Sequence, residues 1–344
     1  MATTHSRTTR TALLAVIAAG ALVVSACGSS STATAGAGSS SSAGSATSSA
    51  ALVAPSSGAA SSAPASSGPA SSGPASSGPK TSGPATSAFV APSTAAPTSL
   101  TPAMISAAKA TLTDSSSLTI CTSLPYPPFE VDDGTGKIVG FDIDFMNYVA
   151  KDLGVGTKVS VQQFTAIKSG QATKSKKCDI SAAAMTITAE RLAAITFSNP
   201  YYDASQALMV LTASSVKSLA DLKGKKLGAQ TGTTGLIYAQ KYEGQYGYTV
   251  QEYQQISDEE QALQSGKIDA AIHDQPALND YSKQQKGKVK IVDNFNTGEE
   301  YGFGVALGNT ALAAVANYAI AQSKKDGTYL SSYAKWIGGT PPTK

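Results

Sequence analysis

The chain has 344 residues, 14% of them charged and 42% hydrophobic, with a net charge of +3. So small a charge, with no basic stripe interleaved with aromatics, argues against nucleic acid as a partner. Charge is also unevenly spread: between Cys27 and Asp114 the only charged residues are Lys80 and Lys109.

The N-terminus reads as an export signal. Arg7 and Arg10 form a charged head before an apolar stretch at 12–24, too short to span a bilayer comfortably. That stretch ends in Val24, Ser25, Ala26 and Cys27. Small residues followed by cysteine resemble the bacterial lipobox, in which the cysteine is acylated and becomes the mature N-terminus. On this reading residues 1–26 are a lipoprotein signal peptide. Cys27 is then the lipidation site, which anchors the protein to the outer face of the cell membrane. Two acyl chains hold such an anchor stably where one does not. A generic cleavage site beside an incidental cysteine is the alternative.

Residues 27–113 are mostly Ser, Ala, Gly, Pro and Thr. They bury too little apolar surface to offset chain entropy, so a disordered tether is expected. The tract repeats ASSGP at 65–69, 70–74 and 75–79, then reads KTSGP at 80–84. Collagen needs glycine at every third position, so a period of five reads as a spacer. A flexible chain of about 80 residues spans about 50 Å root-mean-square.

From Asp114 onward strands and helices alternate. Strands are predicted at 118–123, 179–185, 208–211, 226–230, 268–273, 289–292 and 302–307. Helices are predicted at 142–153, at 188–195, from Thr234, after Gln275, and late in the chain. At 142–153, Phe145, Val149 and Leu153 share one face. In the late helix Leu312, Val315, Ala316, Ala319 and Ile320 do the same. Residues 257–260 (SDEE) read as a capping box opening a helix that stops at Gly266. The alternation predicts an α/β protein with mostly parallel sheets. Apart from Cys27 the cysteines are Cys121 and Cys178. Two thiols on neighbouring predicted strands of an exported domain invite a disulfide.

Catalytic and metal motifs are mostly missing. Beyond the export signal the only histidine is His273. That excludes a His-rich metal site and leaves little for a Ser-His-Asp triad. Gly232-Thr-Thr-Gly235 follows a strand and opens a helix without G-K-[ST], so it is not a nucleotide P-loop. No metal or cofactor is expected.

Ligand-like groups gather at strand ends instead, where ligands bind in open α/β sheets. Arg191 sits in the first turn of a predicted helix, against the helix dipole. Either it is a solvated surface arginine or it meets an anion there. Gly232 to Gly235 either cradles an anion or is an ordinary strand–helix turn. Asp274 either grips an ammonium or caps the next helix. Tyr126, in a proline-stiffened loop, is either presented to a ligand or packed in the core. An arginine and an acid together match a zwitterion, which suggests amino-acid binding.

Five stretches then carry a family resemblance: ICTSLPYPPFEVDDGTGKIVGFDIDFMNYVAKDLGV, KKCDISAAAMTITAERLAAITFSNPYY, SLADLKGKKLGAQTGTTG, LQSGKIDAAIHDQPA and KKDGTYLSSYAKWIG. With gaps they run from Leu118 to Gly338. The chain resembles the family 3 solute-binding proteins of ABC importers, the polar amino-acid-binding group.

The resemblance implies a periplasmic-binding-protein-like fold of two lobes joined by two hinge strands. Lobe 1 would comprise 114–210 and 306–344, and lobe 2 would comprise 211–305. Hinge strands would lie at 208–212 and 301–307. It also implies that Tyr126 stacks on the ligand and Phe164 faces it from the other side. Arg191 would pair with the α-carboxylate, and Asp274 would take the α-ammonium. Thr186 and the Ala184 carbonyl would help hold these groups, and Thr234 would close over the carboxylate from lobe 2. Ala183 and Ala184 stand where serine is frequent. Ser123 stands where members for basic amino acids carry an aspartate, so the reading leans to a polar or neutral amino acid.

The expected function is therefore extracytoplasmic binding of a free amino acid by a lipid-anchored monomer, with delivery to an ABC permease. The alternatives are a ligand-sensing subunit and a dehydratase-like enzyme on the same fold. A non-enzyme is expected, because no general acid is placed.

Overall fold

A computed structural model of the chain describes residues 94–342. All of these belong to one compact unit, Ser77–Lys344. The export signal at 1–26, the lipidation site Cys27 and the repeats at 65–84 lie outside the described residues.

The described chain opens with α1 (Pro102–Lys109), β1 (Ser117–Thr122) and a hairpin of β2 (Val131–Asp132) and β3 (Ile138–Val139). Next come α2 (Phe141–Leu153), β4 (Gly156–Val161), α3 (Phe164–Lys168), α4 (Gln171–Lys174) and β5 (Ile180–Ser181). Then follow α5 (Ala189–Leu192), β6 (Ile195–Phe197), β7 (Tyr202–Leu211), β8 (Lys226–Gln230) and α6 (Thr234–Tyr246). The chain continues with β9 (Thr249–Tyr253), α7 (Ile256–Gln264), β10 (Ala270–Asp274), α8 (Gln275–Gln284) and β11 (Val289–Tyr301). It ends with β12 (Gly304–Ala306), α9 (Thr310–Asp326) and α10 (Thr328–Trp336).

These elements build two five-stranded sheets, one per lobe. The first has the order β4-β1-β5-β12-β6 and the second β11-β7-β10-β8-β9. β1 runs parallel to β4 and β5, and β8 runs parallel to β9 and β10. One strand in each sheet runs against its neighbours: β12 in the first and β7 in the second. These strands adjoin the two crossings between lobes, which explains why the sheets are mixed where simple alternation predicted parallel pairing. On β7, Leu208 and Val210 pack into one core and Ala207 and Met209 into another. Both faces of the second sheet are therefore buried, as in covered α/β sheets.

The lobes are joined at 198–201 and 302–303, where the two segments run side by side. Ser198 N–H donates to the Phe303 carbonyl at 2.8 Å, and Tyr201 N–H to the Tyr301 carbonyl at 3.0 Å. The rings of Tyr201 and Phe303 stack at 4.1 Å and 4°. Gly302 permits this approach: a Cβ there would sit 2.8 Å from Ile187 Cδ1 and 3.0 Å from Phe197 Cδ1. The first crossing thus precedes the expected hinge strand at 208–212. Those residues are committed to the lobe 2 sheet, with Leu208 and Met209 paired to both β10 and β11.

Other expectations are corrected by local chemistry. The ordered region starts before Asp114, because Thr101 caps α1 by accepting from Met104 N–H, with proline in its first turn. Ala108 is fully buried there, and Ile105 packs against the same core. The strand expected at 179–185 ends at Ser181, and Ala184 then takes φ +44°. The helix expected at 188–195 is the single turn α5, since Ile195 leaves it to pair with Ala306. The SDEE box lies inside α7, whose first residue is Ile256, so Ser257 does not cap it.

Cys121 and Cys178 form a disulfide across the lobe 1 sheet, closing a separation of 57 residues. Both are buried against Ala183, Met185 and Phe197, under one wall of the inter-lobe cleft. The chain-entropy argument gives about 4 kcal/mol for a loop of this size. We expect a Cys121→Ala/Cys178→Ala variant to lose about 2–4 kcal/mol in urea unfolding; an unchanged midpoint would show that the cross-link contributes nothing.

Glu259, at the start of α7, is fully buried. Burial, helped by the nearby Glu260, pushes its pKa well above the ordinary carboxylate value. The folded state therefore holds this proton more tightly than the unfolded chain does. The stability linked to it is complete below about pH 4 and is lost as pH rises through the unfolded and then the folded pKa. Glu259→Gln removes that loss. Its stability relative to the parent should rise between pH 4 and pH 8 in chemical unfolding; a constant difference would contradict this assignment.

Candidate ligand-binding site

The ends of β1, β5, β8 and β10 converge on one cleft between the lobes. Its walls contain Ser123, Tyr126, Phe164, Ala184, Thr186, Arg191, Thr234 and Asp274, all eight of the residues expected from the sequence. The remaining cavity is about 20 Å³, space for the centre of roughly one water molecule.

Arg191 lies on α5 and is 4% exposed, which discards the solvated-surface reading. Thr188 caps this turn by accepting from Arg191 N–H at 3.2 Å. The guanidinium stands 5.3 Å from the Phe164 ring centroid, within cation–π range. Nη1 donates to the Thr186 carbonyl at 2.7 Å and Nη2 to the Gly232 carbonyl of lobe 2 at 3.1 Å. Among the described residues no carboxylate stands within ion-pair distance of it. Burial depresses its pKa, opposed by Glu299 and Asp274 at longer range. A guanidinium nonetheless keeps its charge in a protein.

The turn at Gly232 closes tightly on lobe 1. Gly232 has φ +83°, and a Cβ there would lie 3.3 Å from Lys168 Cε. Thr233 caps α6 by accepting from Leu236 N–H at 3.1 Å. Thr234, the first residue of α6, directs its hydroxyl to Glu299 at 2.7 Å.

Asp274 occupies the N-cap position of α8 but makes no side-chain cap bond. Its carboxylate turns into the cleft instead. It accepts from Tyr126 of lobe 1 at 2.7 Å, and from Tyr301 and Gln206. Burial raises its pKa, and these three donors work against the rise. Tyr126 is 8% exposed and belongs to the rim of the lobe 1 core while lining the cleft.

Ala184 holds a left-handed backbone that glycine adopts more readily. Its N–H donates to Asp142 Oδ2 at 3.0 Å, which also accepts from Tyr201 at 2.7 Å. Asp142 lies beside the fully buried Glu130, and burial pushes both carboxyls upward. The site's backbone is thus fixed from below by a residue at the first crossing.

Ala183 lies beside Ala184 in the lining, and Pro125, Gln230, Thr233, Gln255 and His273, which sequence reasoning did not assign to the site, complete it. Gln230 ends β8, so the strand-end rule that found Asp274 would have found it. His273 is buried and neutral, its pKa pushed down to about 4 by burial. Its Nδ1 accepts from Asp274 N–H at 2.8 Å, so Nε2 carries the proton and donates to Gln230 Oε1 at 3.1 Å. Behind the lining stand Gln206 and Glu299. Gln206 Nε2 reaches both Asp274 and Glu299 Oε1, the latter at 3.1 Å. No sequence signal marked Glu299, one of two adjacent glutamates in a polar strand.

Chemically, the cleft combines a cation that has spare N–H donors with the acceptor oxygens of Asp274 and Thr186. The only charged groups in its lining are Arg191 and Asp274.

Comparison with known proteins agrees with this architecture. Residues 118–339 match the family model "Bacterial extracellular solute-binding proteins, family 3". The putative ABC transporter arginine-binding protein 2 of Escherichia coli K12 is 33% identical over 240 residues, covering 68% of this chain and 96% of the relative. The L-cystine-binding protein TcyJ of the same strain is 30% identical over 215 residues, covering 62% and 79%. Among solved structures, an ancestral arginine-binding protein bound to glutamine is 41% identical, with TM-score 0.61, covering 65% of this chain and 99% of that one. An ancestral amino-acid-binding protein described as a precursor of cyclohexadienyl dehydratase is 34% identical, with TM-score 0.60, covering 64% and 96%. This chain belongs to the bacterial extracellular solute-binding proteins of family 3.

Proposed function

We propose that the protein binds a free amino acid outside the cytoplasm and presents it to an ABC permease. One observation carries the reading: a buried guanidinium on lobe 1, without a carboxylate partner at ion-pair distance, shares a closed cleft with a buried carboxylate on lobe 2. A zwitterion complements both. Its carboxylate takes the spare donors of Arg191 in a charge-assisted pair. Its ammonium takes Asp274 and the Thr186 oxygen. Such a ligand touches both lobes only when they are closed, so it shifts the population toward closure.

The side-chain end of the cleft favours an uncharged polar amino acid. Ser123, Gln230, Gln255 and the neutral His273 line it, and they supply hydrogen bonds without a net charge. The curated relatives are binding proteins, and we read this chain as a binder rather than an enzyme. Cys27 would carry the lipid anchor, with the tract that follows it as the tether of a monomer.

A thermal-shift screen of the full-length protein against the amino acids tests the class, because a tight ligand raises apparent stability by mass action. Uncharged polar amino acids should give the largest shifts; a larger shift with arginine or lysine would contradict the assignment. Arg191→Ala should weaken the best ligand by at least about ten-fold in calorimetry, since charge-assisted bonds contribute about 1.5–3 kcal/mol. Unchanged affinity would remove Arg191 from the site.

A further inference from the structure

Glu299 does not line the cavity, yet it holds two threonines that do. It is 2% exposed and sits near the end of β11, just before the second crossing. Its Oε2 accepts from Thr186 of lobe 1 at 2.8 Å and from Thr234 of lobe 2 at 2.7 Å. Its Oε1 accepts from Thr297 at 2.8 Å and Gln206 at 3.1 Å. Burial and the nearby Asp274 raise its pKa, and the threonine donors work against the rise; with Gln206 they place two donors on each oxygen, which fills the lone-pair positions of an ionised carboxylate.

This arrangement fixes the direction of two hydroxyl protons. A threonine hydroxyl has one proton to give and two lone pairs to offer. With the proton committed to Glu299, Thr186 and Thr234 present lone pairs to their other neighbours. Their oxygens lie 3.4 Å apart, so they form one patch across the lobe boundary. The Asp274 carboxylate adds further acceptors to the same web through Gln206. Gln206 Nε2 also donates to Thr234 Oγ1 at 3.3 Å, so the open lone pairs lie mainly on Thr186 and Asp274, and acceptors of this kind are matched by a group made only of donors, which an ammonium is.

We propose that Glu299 is a positioning residue for the ligand's amine. By taking the protons of Thr186 and Thr234 it keeps their oxygens as acceptors, and so selects a primary ammonium over a hydroxyl, a hydrogen or a carbonyl at the α-position. The inference rests on the amino-acid reading above. A glutamine at this place reverses the pattern: its amide donates to the threonines, which then turn their protons toward the cleft.

The test compares amino acids with their des-amino analogues by calorimetry on the full-length protein. The probes are L-glutamine with 4-carbamoylbutanoate, and L-arginine with 5-guanidinopentanoate. Glu299→Gln should weaken the amino acid by about ten-fold or more while shifting its analogue by less than about two-fold, the size expected for one charged hydrogen bond. Glu299→Gln in a Thr186→Val background should cost less than about two-fold further, because contacting residues in one network are non-additive. Thr186→Ser, which retains the donor to Glu299, should keep the parent's preference for the amine, and Thr186→Val should lose it; these two variants decide the matter if Glu299→Gln does not fold. Equal losses for amino acid and analogue, or additive losses in the double variant, would show a merely structural glutamate and overturn the proposal. If the screen identifies a different amino acid, that one and its des-amino analogue are the probes, and failure of the parent protein to bind any amino acid would instead overturn the reading on which the proposal rests.

Discussion

Two opposite charges buried on facing walls of one cleft set the terms for the rest of this molecule. Arg191 and Asp274 are 4% and 5% exposed. Burying a charge is costly unless it is hydrogen-bonded and matched. Each is held by neutral groups: Arg191 by two carbonyls and the Phe164 face, Asp274 by two phenols and an amide. These contacts satisfy hydrogen bonding and leave the charges unneutralised at close range. A small zwitterion supplies both missing charges at once, and it does so only where the lobes meet.

The fold brings those two walls face to face. Two short crossings join the lobes, pinned by backbone bonds and the Tyr201–Phe303 stack. The same crossings reach into the site. Tyr201 shares Asp142 with the backbone of Ala184, and Tyr301 donates to Asp274. Glu299 links Thr186 of one lobe to Thr234 of the other. Opening the cleft therefore breaks a connected polar web, and a ligand that bridges the same groups offsets that loss. Such coupling between hinge and site is the physical content of a two-state closure.

Much of this was legible in the sequence, for a definite reason. Cleft-lining groups at strand ends announce themselves where an arginine, an acid or an aromatic interrupts an otherwise apolar or glycine-rich run. Arg191, Asp274 and Tyr126 are all of this kind. What was hidden depends on which residues meet across the chain. Thr101 and Pro102 open a real helix inside a tract whose composition reads as tether, because burial of Ala108 against distant helices decides the matter. Ile195 joins a sheet through a partner more than a hundred residues away. Glu299 looks like any strand glutamate until Thr186, Gln206 and Thr234 are folded around it. Residue type marks the cleft lining, whereas the groups that orient it are visible only in three dimensions.

The most direct test is a crystal structure of the protein with its amino acid bound. The α-carboxylate should lie within hydrogen-bond distance of the Arg191 guanidinium, and the ammonium on Asp274 and the Thr186 oxygen, with both lobes in contact. A ligand bound outside this cleft, or one lying with its ammonium toward Arg191, would contradict this arrangement.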